Sequence, residues 1–447
     1  MEKGFTMDQA MQEAARCLLC HDAPCACGCP AGTEPDRFIR KLRLRNLKCA
    51  ARVIKENNVL GGVCAVVCPT CTLCAQGCTA AGLDRPIRIG EIQRFLVEWA
   101  WQTGFSPLRA LPPDGRRIAI IGAGPAGLTC AAELARAGCK AVVFERQPEP
   151  GGMLRYGIPA HRMSVEFLGR ELRDVTDLGV EIRCGTPMET SADIDRLLAE
   201  EKFDALFLAT GAWGSLALDV PHRDSEDVYD ALSFLMLAKT APDGFAARVK
   251  GKVVAVIGGG DSAMDAAVAA RRSGALDVYL LYRRSFSEMP GDPVEKQQAI
   301  AAGIHFVILS QPTDYVIENG RLAGIKLVRT RLDAPDASGR RRPVRMAGTE
   351  HELQADLAVE ALGLQPPPAA DAFGLPTDAQ HRIVVRDAAG NTGRSMVLAG
   401  GDAVRGSSIV ARAVHDGKMA ARSILEELAR RTGGTAPAVI DAPADRR

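Results

Sequence analysis

No run of about 18 uninterrupted apolar residues occurs anywhere in the 447 residues, so no membrane-spanning helix is expected. The opening residues MEKGFTMDQAMQEAAR lack the apolar core and small-residue cleavage site of a secretory signal, and the chain is expected in the cytoplasm. Charge of one sign is missing too: 55 Lys plus Arg stand against 54 Asp plus Glu. That balance supplies neither a field for nucleic acid nor an acidic solvating tail, and it favours small-molecule or protein partners. Cysteine is absent after Cys184. Apart from the scattered Cys130, Cys139 and Cys184, every cysteine lies before residue 79. A reducing compartment argues against a disulfide framework, which leaves metal ligation as the leading account of that front cluster.

The length suits on the order of two or three domains. Residues 6 to 16 are expected to form a helix leading to Cys17, and helical patterning resumes at 34 to 56, where Phe38, Leu42, Leu47 and Ile54 make an apolar stripe. Arg40, Lys41, Arg43, Arg45, Lys48, Arg52 and Lys55 surround that stripe as a solvated face or a docking surface. IGEIQRFLVEWAWQ reads as another helix, and the proline-bearing SPLRALPPDG as a linker. A small helical domain organised by metal is thus expected over 1–105.

The cysteines form two arrays, Cys17-x2-Cys20-x4-Cys25-x3-Cys29-Pro30 and Cys68-Pro69-x4-Cys74-x3-Cys78, with Cys64 just upstream. Runs whose last member precedes proline fit a pair of ferredoxin-like [4Fe-4S] clusters. Zinc also takes four thiolates but offers no electron path. Two clusters need eight ligands, and spacing alone leaves the eighth open, with Cys27, Cys49, Cys64 and Cys71 as extras. Cys49 and Cys64 are expected to act as small apolar residues.

From Arg117 the pattern changes to strand, glycine turn, helix and strand: RIAIIGAGPAGLTCAAELARAG, then AVVFER. A second copy starts at Lys252, so the fold class is α/β, with two Rossmann-like dinucleotide-binding domains behind the helical one. In the first turn Gly122 permits the bend, Gly124 lets the backbone approach a pyrophosphate and Gly127 permits close helix packing, while Glu145 is placed to accept from ribose hydroxyls. The second turn supplies Gly258, Gly260 and Ala263. Its second strand ends in Arg283 and Arg284 where an NADH site usually shows a carboxylate, so NADPH is favoured over NADH, the arginines pairing with a 2′-phosphate. Two such folds in one chain usually hold one flavin and one nicotinamide. GGMLRYGIP, with Gly152, and GGDAVRGSSIVARAVHDGKMAA, with Asp402 at the ribityl chain and a helix starting near Ser407, point to FAD in the first. The second fold is then inserted in the first: FAD domain 115–225 and 357–431, NAD(P)H domain 226–356, and a disordered tail 432–447. DAPDASGRRRP is expected to be a turn-rich hairpin loop.

CLLCHDAPC, CxxxCP, IGEIQRF, both glycine fingerprints and GGDAV together make the chain resemble, from about Glu13 to about Leu428, the flavin and iron-sulfur input unit shared by dihydropyrimidine dehydrogenase and the glutamate synthase small subunit. The resemblance implies that Cys17, Cys20, Cys25 and Cys78 hold one cluster and that Cys29, Cys68, Cys74 and Gln93 hold the other. Glutamate synthase relatives tend to carry glutamate at the Gln93 position, and RCLLCHDAPC is closer to the bacterial pyrimidine branch. It further implies a hetero-oligomer, in which electrons from NADPH or NADH pass through FAD and two clusters to an FMN-containing partner subunit acting on uracil or thymine. The alternatives are a glutamate synthase small subunit and a non-catalytic redox-sensing or scaffold flavoprotein. No general base is expected in this chain, because hydride transfer depends on ring alignment.

Overall fold

The computed structural model describes residues 4–336 and 339–433. These residues divide into two compact units: one built from the stretches before 155, 160–212 and after 365, the other from Tyr156–Pro159 and Trp213–Leu364.

The first unit opens with the helix Met7–Ala15, started by a reciprocal cap in which Thr6 and Gln9 exchange side-chain and backbone hydrogen bonds. The helix expected over 34 to 56 is two helices, Pro35–Arg43 and Leu47–Asn57. Arg45 breaks them apart with φ 56°, and Asn46 caps the second by accepting from the Cys49 N–H at 3.1 Å. Both halves still deliver Phe38, Ile39, Leu42 and Ile54 to one core, where they meet Ile92 and Leu96 of the helix Ile89–Gln102. Each such side chain contributes about 1.5–3 kcal/mol by leaving water. Cys17, Cys25 and Cys78 pack against this core from its edge.

The same unit holds a five-stranded parallel sheet in the order Val397–Ala399, Ala205–Leu208, Arg117–Ile121, Lys140–Phe144, Glu181–Arg183. Near-continuous apolar runs explain why the first four of these are buried on both faces, whereas the edge strand Glu181–Arg183 is half-buried. The helix Pro125–Arg136 crosses one face, and the C-terminal helix Val410–Thr432 packs on it. That contact is close because Gly417 has no side chain: a Cβ there would strike the Ala126 carbonyl oxygen. The C-terminal helix thus continues through 432, where a disordered tail was expected to begin; 434–447 lie outside the described residues.

The second unit carries its own five-stranded parallel sheet, ordered Val228–Asp230, Leu357–Glu360, Val253–Ile257, Asp277–Tyr282, His305–Ile308. Here the expected boundaries move. Leu357–Glu360, placed by sequence in the flavin domain, pairs in parallel with Val254–Ile257, and the unit begins at Trp213 rather than 226. An antiparallel layer follows, Ser310–Glu318, Arg321–Pro335, Arg341–Arg345 and His351–Gln354. The loop expected over DAPDASGRRRP is shorter, since 333–335 and 341–343 belong to the paired strands Arg321–Pro335 and Arg341–Arg345; 337 and 338 lie outside the described residues.

Candidate functional site

At the first glycine turn the three glycines are required for different reasons. Gly122 has φ 104°, and a Cβ on it would collide with the Ala209 carbonyl; a Cβ on Gly127 would collide with the Gly122 carbonyl. Those two are demanded by the fold itself. Gly124 is not: its φ −81° and ψ −178° suit any residue, and a Cβ there meets nothing within 4 Å. A glycine that the chain does not need, at the N-terminus of a helix with no side-chain cap, fits a phosphate approaching from outside. Gly152, at φ 53°, lies against Gly124, where a Cβ would come within 2.9 Å of its Cα. Glu145 is buried beside the turn, accepting from Ala123 N at 2.7 Å and Gln147 N at 2.9 Å. An ionised carboxylate has about four acceptor positions, so two remain for ribose hydroxyls.

On the adjoining side of the sheet, Asp402 begins a single helical turn, Asp402–Arg405, and accepts from Ser408 Oγ at 2.6 Å. Burial pushes its carboxyl up, with the Ser408 hydrogen bond opposing. The long helix starts at Val410 rather than near Ser407, and its N-cap, Ile409, has no side chain to satisfy the first N–H groups. Sequence reasoning missed the lock on this loop: Asp416 accepts both arms of the Arg405 guanidinium at 2.7 Å and the Gly401 N–H at 3.0 Å.

The second turn repeats the logic. A Cβ on Gly258 would collide with the Ala361 carbonyl, while Gly260, at φ −91° and ψ 179°, faces open space and heads a helix without a side-chain cap. Ala263 is fully buried. The two arginines separate, which corrects the expectation that they act as a pair. Arg283 is exposed, whereas Arg284 is 5% exposed, donates from Nε to Arg341 O at 2.8 Å and pairs with Asp336. Its guanidinium is engaged by the hairpin, whereas Arg283 faces solvent.

Cys17, Cys20, Cys25 and Cys78 are neighbours in the fold. Burial pushes the Cys17 thiol up, and Cys20 and Cys78 push it further; Cys25 is driven to about 12 by burial, then by Asp36, Cys17 and Cys78. Cys20 Sγ lies 2.8 Å from Thr79 Oγ1, and Ile87 N–H points at Cys78 Sγ at 3.5 Å. Cys74 is raised by burial and by Cys29 and Cys25. Cys68 is beside Cys64, a neighbour that spacing had set aside as filler. Gln93 is buried and donates from Nε2 to Gly61 O at 2.6 Å. Among the described residues no three of His, Cys, Asp and Glu converge as on a single ion. Thiols ringing a four-iron cube stand farther apart, each on its own iron, and the donor set fits such clusters. All fourteen cysteines are free thiols.

Two buried lysines tie these elements together. Lys55 reaches from the cysteine domain to Glu171 and Asp174 at 2.8 and 2.7 Å. Lys418, on the C-terminal helix, donates back to Asn57 O at 2.9 Å and Ala31 O at 3.2 Å, two residues beyond Cys29. Near it on the same helix, burial pushes the His415 imidazole below its ordinary value, with Asp416 opposing. A lone lysine among Gly417, Ala420 and Ala421 was the sequence signal for this.

Comparison with known proteins follows the same division. Residues 1–105 match the family model described as dihydropyrimidine dehydrogenase domain II, 4Fe-4S cluster, and residues 116–417 match pyridine nucleotide-disulphide oxidoreductase. The chain is similar to the glutamate synthase [NADPH] small chain of Escherichia coli K12, 36% identical over 95% of this chain and 92% of that one. It is similar to the NAD-dependent dihydropyrimidine dehydrogenase subunit PreT of the same strain, 35% identical over 94% of each. In fold it is similar to Mycobacterium tuberculosis FprA in complex with NADPH, with a TM-score of 0.61 and 19% identity over 75% of this chain and 90% of that one. A thioredoxin reductase from T. acidophilum gives 0.53 and 20% over 70% and 99%.

Proposed function

The chain belongs to the pyridine nucleotide-disulphide oxidoreductase family, with a 4Fe-4S domain of the dihydropyrimidine dehydrogenase type at its front, and on that premise we propose that it is the electron-input subunit of a two-part reductase. It takes hydride from NADPH, less readily from NADH, and delivers single electrons to an FMN-containing partner that reduces the 5,6 double bond of uracil or thymine, or runs the reverse. The observation that carries the reading is the pair of unneeded glycines, Gly124 and Gly260, one at the head of each uncapped helix.

FAD when bound supplies two-electron to one-electron conversion, and the clusters supply one-electron carriage. Gly122, Gly124, Gly127, Glu145, Gly152 and Asp402 hold the flavin nucleotide; Gly258, Gly260, Ala263 and Arg283 hold the nicotinamide nucleotide. Asp416 and Arg405 fix the loop that presents Asp402 and the helix start at Val410, whose N–H groups favour negative charge nearby. Cys17, Cys20, Cys25 and Cys78 serve one cluster, and Cys29, Cys68, Cys74 and Gln93 the other. Among the described residues no helix is long and apolar enough to cross a membrane, and the reducing cytoplasm suits an all-thiol chain.

The second reading is a glutamate synthase small subunit, favoured by the 36% identity to that chain. Oxidation of NADPH and NADH by anaerobically purified protein, with its genomic neighbour co-expressed, separates them. Turnover with uracil supports the pyrimidine reading; turnover only with 2-oxoglutarate plus glutamine overturns it.

A further inference from the structure

Three of the most exposed large apolar side chains in the cysteine domain lie on segments that carry or contact one group of thiols. Leu18, 49% exposed, lies between Cys17 and Cys20; Leu44, 73% exposed, follows Arg43, whose Nη1 donates to Cys17 O at 2.8 Å. Leu83, 79% exposed, closes the short turn that begins with Thr79, the partner of Cys20 Sγ. Exposed leucines are ordinary singly, but three around one redox site are not.

The charge beside them is mainly basic, although Asp22 and Asp84 are exposed there as well. Arg40, Arg43 and Arg45 are exposed, and among the described residues no carboxylate pairs with Arg40 or Arg45. Arginines elsewhere on the surface, such as Arg382, Arg422 and Arg430, do have carboxylate partners. The nearby acid Asp84 is taken by Arg16 at 3.1 Å. Cations at the end of the helix Pro35–Arg43 complement its dipole, yet Arg45 lies beyond that helix. The Cys29 segment, by contrast, is met by the C-terminal helix through Lys418, which donates to Ala31 O. The group at Cys17, Cys20 and Cys78 is therefore the one turned outward.

We infer that the face formed by Leu18, Leu44, Leu83, Arg40 and Arg45 is the docking surface for an electron-accepting protein whose contact face has an apolar centre and an acidic rim. The inference rests on the electron-input reading. An apolar centre excludes water over the transfer path, and the basic rim steers an acidic partner and releases it readily. Each NADPH gives two electrons, which leave one at a time for the acceptor, and leaves NADP⁺ and one proton.

The test uses the full, cluster-loaded chain with two one-electron protein acceptors of opposite charge, acidic rubredoxin and basic cytochrome c, alongside an uncharged dye. Rubredoxin reduction should fall as salt rises, and Arg40→Glu with Arg45→Glu should lower it by about tenfold at low salt. Cytochrome c reduction should rise, and dye reduction should stay within about twofold, since steering acts on charged partners. Leu44→Ser with Leu83→Ser should slow rubredoxin at every salt concentration. Rubredoxin rates indifferent to salt and to both double variants overturn the inference. So does concentration-dependent self-association of the wild type that the charge reversal abolishes, since the face would then join two copies of the chain. Failure of dye reduction in the wild type would instead strike the electron-input reading itself.

Discussion

Lys55 Nζ stands 2.8 Å from Glu171 Oε1 and 2.7 Å from Asp174 Oδ2, although the lysine belongs to the cysteine domain and both acids to the helix Val165–Thr176. Val63 N–H shares Glu171 at 3.1 Å and Trp101 Nε1–H shares Asp174 at 3.0 Å, so the network is satisfied on both sides. Removing one member leaves buried charge uncompensated. Lys55→Met is expected to cost about 3–5 kcal/mol of stability, measured by denaturant unfolding of the loaded protein, and Lys55→Met with Glu171→Leu should recover part of it.

The same lysine predicts an alkaline limit. Burial would lower its pKa, but Glu171 and Asp174 outweigh that and hold it above the ordinary 10.5. A cation with a raised folded pKa contributes stability in full below 10.5 and loses it as pH rises through the folded value. The stability gap between wild type and Lys55→Met should hardly change up to about pH 10 and shrink above it. A gap that widens there contradicts the assignment.

Gly124→Ala and Gly260→Ala should fold normally, because the backbone angles accept alanine and the Cβ meets nothing. Only ligand approach should suffer: FAD retention falls in the first and the KM for NADPH rises in the second, each by about tenfold or more, equivalent to about 1.4 kcal/mol. Gly122→Ala and Gly127→Ala should lower the melting temperature of the FAD-free protein as well. Equal melting losses in all four would mean that the second glycines have only a structural role.

Arg283→Ala and Arg284→Ala should differ in kind. The first is expected to reduce the NADPH to NADH ratio of kcat/KM by about tenfold with little change in stability. The second removes the bonds from Arg284 to Asp336 and to the Arg341 carbonyl, and should lower stability while changing both cofactors alike. An unchanged ratio in Arg283→Ala removes it from 2′-phosphate recognition.

Ligand assignments can be read from iron content and electron paramagnetic resonance. Serine at Cys17, Cys20, Cys25 or Cys78 should lose one signal and spare the other. Gln93→Ala should alter the second signal alone, while Cys64→Ala keeps both. Loss of a cluster on removing Cys64 would make that thiol, beside Cys68, the ligand in place of Gln93.

What the sequence made legible was local. The glycine turns, Glu145 and the helix Ile89–Gln102 each depend on a few adjacent residues whose chemistry has one structural outcome. What it concealed required a distant partner or an atypical residue. Arg45 adopts a left-handed conformation without being glycine or asparagine, so nothing announced the break between Arg43 and Leu47. The run 352–359 reads as one strand, yet Asp356 accepts the Val253 N–H and divides it between an antiparallel layer and a parallel sheet. Arg284 looks identical to Arg283 in one dimension; only the hairpin some fifty residues on shows that it is occupied.

The main stretch of the second unit, Trp213–Leu364, begins and ends side by side, with Leu216 N–H donating to Gly363 O at 3.0 Å. For the folding of the surrounding flavin domain, an insertion with joined ends closes like a short loop, since closure entropy depends on the separation to be bridged and grows slowly with length. The nicotinamide unit can therefore gain or lose whole hairpins without raising the entropic barrier its host must cross, and its size is decoupled from the host's foldability.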